Sequence, residues 1–274
     1  YKPLRWARVL SMAPGILFLD ELTNVQRMDV LAAAYKILYD RKAGFTKFRN
    51  DVLIVAAGNK EEESAIANPL PAPLINRTIV IDCSVPKIDE WSIWMDKRYG
   101  EKWDRRVLAY LMRFSDDFIK LPETGETLAN FPTPRTWSAL ANLLAVMHPP
   151  EEIIDGLIGT EVATRFKAFI KTEIPDIQLL IREPERFSRL PIDGQYIAVV
   201  ELANFLKKKP QQNVSRAMPI IKYLAVRHRE FLVLLVLSCG SLKYTVLANI
   251  IDIAPDTADV FKEVAELRDK IAKK

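Results

Sequence analysis

Asp20 and Glu21 close one short apolar run, and Asn59 closes another. Carboxylates and an amide at such positions match the needs of nucleoside triphosphate hydrolysis. One carboxylate holds the hydration shell of a magnesium ion, a second acts on the attacking water, and an amide orients that water. By type and position Asp20 suits the magnesium shell, Glu21 the water and Asn59 its orientation. Arg77 and Arg135 add guanidinium groups able to meet phosphate oxygens. Each residue also has a plainer reading. Asp20 could cap the following helix, Asn59 could be a turn residue after Gly58, and Arg77 could be a surface charge at a strand start. Arg135 could be a solvated first-turn residue, although a cation there opposes the helix dipole and so favours a nearby anion.

The elements that must position these groups follow from pattern. Gly15 to Leu19 and Val52 to Ala57 are continuous apolar runs, the signature of strands buried on both faces of a parallel sheet. Between them Met28, Leu31, Ala32, Tyr35 and Leu38 recur at helical spacing behind a candidate cap at Thr23 or Asn24. A third, shorter strand is predicted for Thr78 to Ile81. Strands separated by a helix argue for a parallel α/β sheet, in which Asp20, Glu21 and Asn59 sit at the carboxyl ends where ligands bind. After Pro86 strand signals fade, and helices are predicted around Trp91 to Tyr99, Arg105 to Phe118 and Pro134 to Met147. Thr133-Pro134 is a helix start, with Thr as cap and Pro in the first turn, and Trp137, Leu140, Ala141 and Leu144 form its core stripe. From Glu151 onward helical patterns alternate with prolines and show no fixed repeat.

Taken in order, GILFLDEL, VLIVAAGN, PAPLINRTIVI and FPTPRTW resemble the Walker B strand, sensor-1 strand, arginine-finger segment and sensor-2 helix start of the AAA+ ATPases, with wording nearest the MoxR-like branch. The resemblance covers about residues 1 to 150. It implies Asp20 as the magnesium-associated aspartate, acting through water, Glu21 as the catalytic glutamate, Asn59 as sensor 1, Arg77 as the arginine finger and Arg135 as sensor 2. It further implies ATP and magnesium as ligands, a homo-oligomeric, hexameric ring, and a remodelled protein client, with von Willebrand factor A domain proteins as candidate partners. The expected fold is therefore α/β plus all-α. Residues 1–86 would be the later part of a P-loop-type AAA+ core, 87–150 a helical lid and 151–274 a helical extension.

One departure stands out. No G-x-x-x-x-G-K-[ST] loop is present to cradle phosphates, and Gly240-Ser241-Leu242-Lys243 lacks both the preceding glycine and the strand-to-helix setting. The expectation is a truncated chain, nearly inactive alone. Two alternatives remain: a non-catalytic assembly protein of AAA+ shape, and a DNA-directed motor or helicase, which salt-dependent DNA binding would reveal.

Composition bounds the rest. With 49% apolar residues and a net charge of +4 from 39 Lys and Arg against 35 Asp and Glu, the chain has ample core and too mild a charge to imply nucleic acid or membrane. Cys83 and Cys239 read as buried thiols of a reducing compartment. The longest apolar run, Phe231 to Cys239, is about half the roughly 20 residues needed to span a bilayer, so a soluble, cytoplasmic protein is expected. Arg41, Lys42, Lys47 and Arg49 with interleaved Phe45 and Phe48 could touch nucleic acid or a translocating substrate, but a solvated hairpin is favoured. Lys207 to Lys209 suit a helix carboxyl terminus. His148 and His228 show no partner at ligand or triad spacing and are expected to be structural. Trp91, Trp94 and Trp103 are expected in the lid core or at a subunit contact.

Overall fold

Two apolar five-residue runs pair in parallel to make the sheet of the first unit. The computed structural model describes residues 2–60, 70–76, 78–120 and 130–254, and the chain divides into two units, Tyr1–Ser84 and Val85–Lys274.

In the first unit, helix α1 (Arg5–Met12) leads to strand β1 (Gly15–Leu19), a 3-10 turn at Leu22–Asn24 and helix α2 (Met28–Asp40). Two short strands, β2 (Lys42–Ala43) and β3 (Thr46–Lys47), form a hairpin around Gly44, whose φ of 58° suits the tight turn. Strand β4 (Val52–Ala56) and the short helix α3 (Ala72–Ile75) follow. β1 and β4 pair from Gly15 opposite Val52 to Leu19 opposite Ala56, with α2 in the crossover between them. Continuous apolar character alone suggested strands buried on both faces. Instead Ile16, Phe18, Leu53 and Val55 are exposed on one face; among the described residues the pair packs its other face, through Leu17, Val52 and Ile54, on Ala7, Leu10 and Phe48. Among the described residues the third strand does not form: Thr78 to Ile81 carry no strand pairing, and Ile79 is 91% exposed.

The second unit is helical throughout its described residues. It comprises α4 (Ile88–Tyr99), α5 (Arg105–Arg113), α6 (Pro134–Val146), α7 (Glu151–Ile158), α8 (Thr160–Ile170), α9 (Ile177–Arg182), α10 (Ile192–Lys208), α11 (Pro210–Arg227), α12 (Glu230–Ser238) and α13 (Lys243–Ile253). Local chemistry sets several of the starts. The Asp104 carboxylate accepts from the Arg106 amide to cap α5 at 2.8 Å, and Thr133 and Thr136 close a reciprocal box at the start of α6.

Within the second unit, residues 87–150 and those beyond share one core. Tyr110 of α5 and Trp137 of α6 pack on Phe166 and Phe169 of α8, with Tyr110 5.1 Å from the Phe166 ring in an edge-on contact. The polar ends of these rings converge on buried Asp117. Tyr110 Oη donates to its carboxylate, Trp137 Nε1 donates to its carbonyl at 2.9 Å, and Arg165 completes the pairing at 2.8 Å. Burial and the adjacent Asp117 push the Tyr110 hydroxyl well above the ordinary tyrosine range, so it remains a donor. α12 is apolar on every side because neighbours cover it on every side; among the described residues no single helix is long and apolar enough to cross a membrane.

A polar junction ties the α4–α5 corner to the later helices. Glu101 Oε1 accepts from the Ser241 amide at 2.7 Å and from its hydroxyl at 2.8 Å, and Lys207 Nζ meets Oε2 at 3.2 Å. Lys207 is thus more than a helix-end charge, and the Gly240–Lys243 stretch is a carboxylate clasp. Burial works to raise the Glu101 carboxyl, but the Ser241 bonds, then Lys207 and Arg105, hold it below its ordinary value. A carboxyl depressed in the folded state contributes stability above its unfolded pKa, which is lost as pH falls through the folded one. Wild type should therefore melt above Glu101→Gln at pH 7, and the gap should close on acidification below about pH 4, near the free glutamate value. Thermal melts across that range check it; a gap constant with pH would show that the carboxylate charge is irrelevant there.

Candidate functional site

At the carboxyl end of the parallel pair the chain places three of the sequence-predicted residues together. The ladder continues one step past the strands, with Ala57 N donating to Leu19 O at 2.9 Å and Leu22 N to Ala57 O at 2.8 Å. This fixes the β1 exit against the β4 exit. Asp20 turns its Oδ1 to the Glu21 amide at 3.1 Å. Glu21 adopts φ 56°, ψ 35°, a left-handed conformation uncommon for a residue with a side chain and costing of order 1–3 kcal/mol. Its side chain is held from two sides. Asn24 Nδ2 donates to Oε2, and Asn59 Nδ2 reaches the same oxygen at 3.4 Å.

Thr23, Asn24 and Gly58 are the site residues that sequence reasoning missed. Thr23 and Asn24 were expected to start α2, but the residue before α2 is Arg27, with no side-chain cap. Thr23 Oγ1 instead accepts from the Asn59 amide at 2.9 Å and locks the two strand exits together. That approach depends on glycine: a Cβ on Gly58 would lie 2.5 Å from Thr23 Oγ1 and 2.7 Å from its Cγ2. The Gly58-Asn59 pair was visible in the sequence, but the partner lying 36 positions earlier was not.

Arg77 lies outside the described residues. Arg135 stands exposed in the first turn of α6, in the second unit. The basic hairpin is largely structural. Phe48 is buried against Trp6, Arg41 spends its guanidinium on the Arg49 and Val52 carbonyls, and Arg49 pairs with Asp51 at 2.6 Å, leaving Phe45 exposed. Cys83 is exposed rather than buried; Cys239 is buried, and desolvation pushes its thiol up to about 12, so it is inert at neutral pH. Trp91 and Trp103 are core residues, while Trp94 is partly exposed. Among the described residues no group of three or more His, Cys, Asp or Glu side chains gathers as a metal site.

His228, expected to be structural, has partners that no local spacing revealed. Its Nε2 lies 2.6 Å from Ser188 Oγ, and its Nδ1 lies 3.8 Å from Glu230 Oε1. The serine is 40 positions away in the chain.

Comparison with known proteins does not carry the AAA+ reading. No family model matches the chain, and no solved structure matches it. The chain is similar to a curated protein, the acyl-homoserine lactone acylase QuiP of Pseudomonas fluorescens (strain Pf0-1), 26% identical over 159 residues. The match takes in 55% of this chain and 19% of the acylase, so the chain spans about a fifth of that relative's length. The finding overturns the expectation of an ATP-hydrolysing, protein-remodelling AAA+ ATPase.

Proposed function

We propose that the chain belongs to a hydrolase whose water-activating centre lies at the carboxyl ends of β1 and β4, with Glu21 as general base. The observation that carries this is the grip on Glu21 Oε2 by the amides of Asn24 and Asn59. Two amide donors on one oxygen fix the direction of the carboxylate, leaving Oε1 to take a proton from water as that water attacks an electrophilic centre. The similarity to an acylase supports hydrolysis as the reaction class.

Asp20 is proposed to anchor magnesium through water. Its Oδ1 is engaged by the Glu21 amide and its carboxylate stands exposed, which suits an outer-shell anchor rather than a closed cage. When bound, such a cation would lower the charge cost of the attacked group.

The test is a panel of acyl amides and phosphate esters, assayed with and without magnesium. On whichever class is turned over, Gly58→Val should cost about 100-fold in kcat, the scale of an ångström-level misplacement of catalytic groups. Gly156→Ala should not, since a Cβ there meets nothing within 4 Å. No turnover on any class, or Gly58→Val at the parental rate, would refute this site.

A further inference from the structure

Ser188, His228 and Glu230 stand in the order of a nucleophile, its base and an orienting acid, remote in sequence from the residues of the sheet-end site. Ser188 is carried on a 3-10 turn, Pro184–Arg189, pinned by the buried ring of Phe187 beside it. His228 closes α11, its amide donating to Leu224 O at 2.8 Å, and Glu230 opens α12. The imidazole is wedged among aromatic rings, 5.4 Å from Phe187 and 6.1 Å from Phe231, which limits its rotation. Tyr223, within α11, brings its hydroxyl to 2.7 Å from Ser188 Oγ.

The hydrogen-bond inventory favours one arrangement. Glu230 Oε1 lies 3.8 Å from Nδ1, too far for a direct hydrogen bond, but a negative charge on that side favours the tautomer with its proton on Nδ1 and leaves Nε2 as an acceptor. Ser188 then gives its single proton to Nε2, and Tyr223 donates to Oγ. Ser188 is exposed, so a substrate can reach the oxygen. An inert packing histidine would not need an exposed serine at 2.6 Å held by a second hydroxyl.

We propose that Ser188 is the nucleophile of an acyl-transfer site acting on carboxylic esters, with His228 as general base and acid, Glu230 as its orienting carboxylate and Tyr223 as the donor that takes up charge developing on Oγ. In the first half, Oγ bonds to the acyl carbon as its proton passes to Nε2; the ester C–O bond breaks and the alcohol leaves with that proton. In the second, water adds to the acyl carbon as Nε2 takes a proton from it. The bond to Oγ breaks, Oγ recovers the proton, and a carboxylic acid is released.

A fluorophosphonate probe and p-nitrophenyl butyrate test this on the full chain. The probe should bond to Ser188 with loss of fluoride, located by peptide mass spectrometry, and Ser188→Ala should abolish it. Ester hydrolysis should fall at least about 100-fold in both Ser188→Ala and His228→Gln. Ser215→Ala, at another exposed serine, should match wild type. Circular dichroism confirms the fold of each variant, and Ser188→Ala removes an exposed hydroxyl bonded to the Tyr223 and His228 side chains and opens no cavity, so it remains decisive if His228→Gln misfolds. No label on Ser188, or ester hydrolysis retained in folded Ser188→Ala, would overturn the proposal. Because the assay responds to Ser188 and not to the strand exits, its failure leaves the sheet-end reading standing.

Discussion

Glu21→Gln is expected to lower kcat by about 10²–10⁴-fold on the substrate class turned over at the sheet end, with little change in KM, because it removes proton transfer in the transition state but keeps the volume of the side chain. The amide of Gln can still receive Asn24 and Asn59 through its oxygen, so the local hydrogen bonds survive while basicity is lost. Glu21→Asp separates base from position. It retains the carboxylate but withdraws it by one methylene from both asparagines, and an intermediate loss is expected. Steady-state kinetics, with melting curves to establish that each variant folds, provide the check. Parental kcat in Glu21→Gln would remove Glu21 as the base, and with it the proposed centre, whatever the chain's overall activity.

Asp96→Ala should destabilise the Val85–Lys274 unit by about 3–5 kcal/mol, the usual cost of removing one partner from a buried ion pair. Asp96 serves two cations at once, with Arg105 Nη1 on Oδ1 and Lys243 Nζ on Oδ2, both at 2.5 Å. The side chains of Asp96, Arg105 and Lys243 are 7%, 3% and 6% exposed. Without the carboxylate, two positive groups remain in a site that water does not reach. Arg105 keeps only Gly100 O, the distant edge of Glu101 and the face of Trp103, 3.7 Å from its guanidinium carbon. Replacing all three charges together, Asp96→Leu with Arg105→Met and Lys243→Met, should recover most of the loss, because the penalty arises from unpaired charge rather than from a missing attraction. Urea unfolding followed by tryptophan fluorescence measures both. A loss below about 1 kcal/mol in Asp96→Ala, the range of exposed pairs, would mean that the cluster is hydrated.

Both sites depend on elements of contrasting legibility. The strands around Asp20 and Asn59 were readable because an apolar five-residue run between a helix and a turn has few other uses, and the parallel crossover follows from the intervening α2. The start of α6 was readable because a Thr-Pro cap is satisfied within one turn of chain. The exposed face of the sheet was not, since an apolar run states that a strand favours burial but not whether another element covers it. The same limit applied to Thr78 to Ile81, whose apolar composition finds no strand partner among the described residues.

By itself the sequence determined what short-range forces decide: the two strands, the helix between them, the capped helices beyond Pro86, and an acidic pair and an asparagine at strand ends. The tertiary structure decided which side chains those elements bring face to face. Asn24 and Asn59 converge on one oxygen of Glu21 because the parallel register sets one strand exit beside the other, and Gly58 leaves room for Thr23 between them. Ser188 meets His228 because a 3-10 turn packs against the end of α11, an encounter invisible to any local spacing rule. Hydrogen bonds within a turn are encoded by neighbours along the chain, whereas contacts across 36 or 40 positions exist only once the apolar faces have chosen their partners.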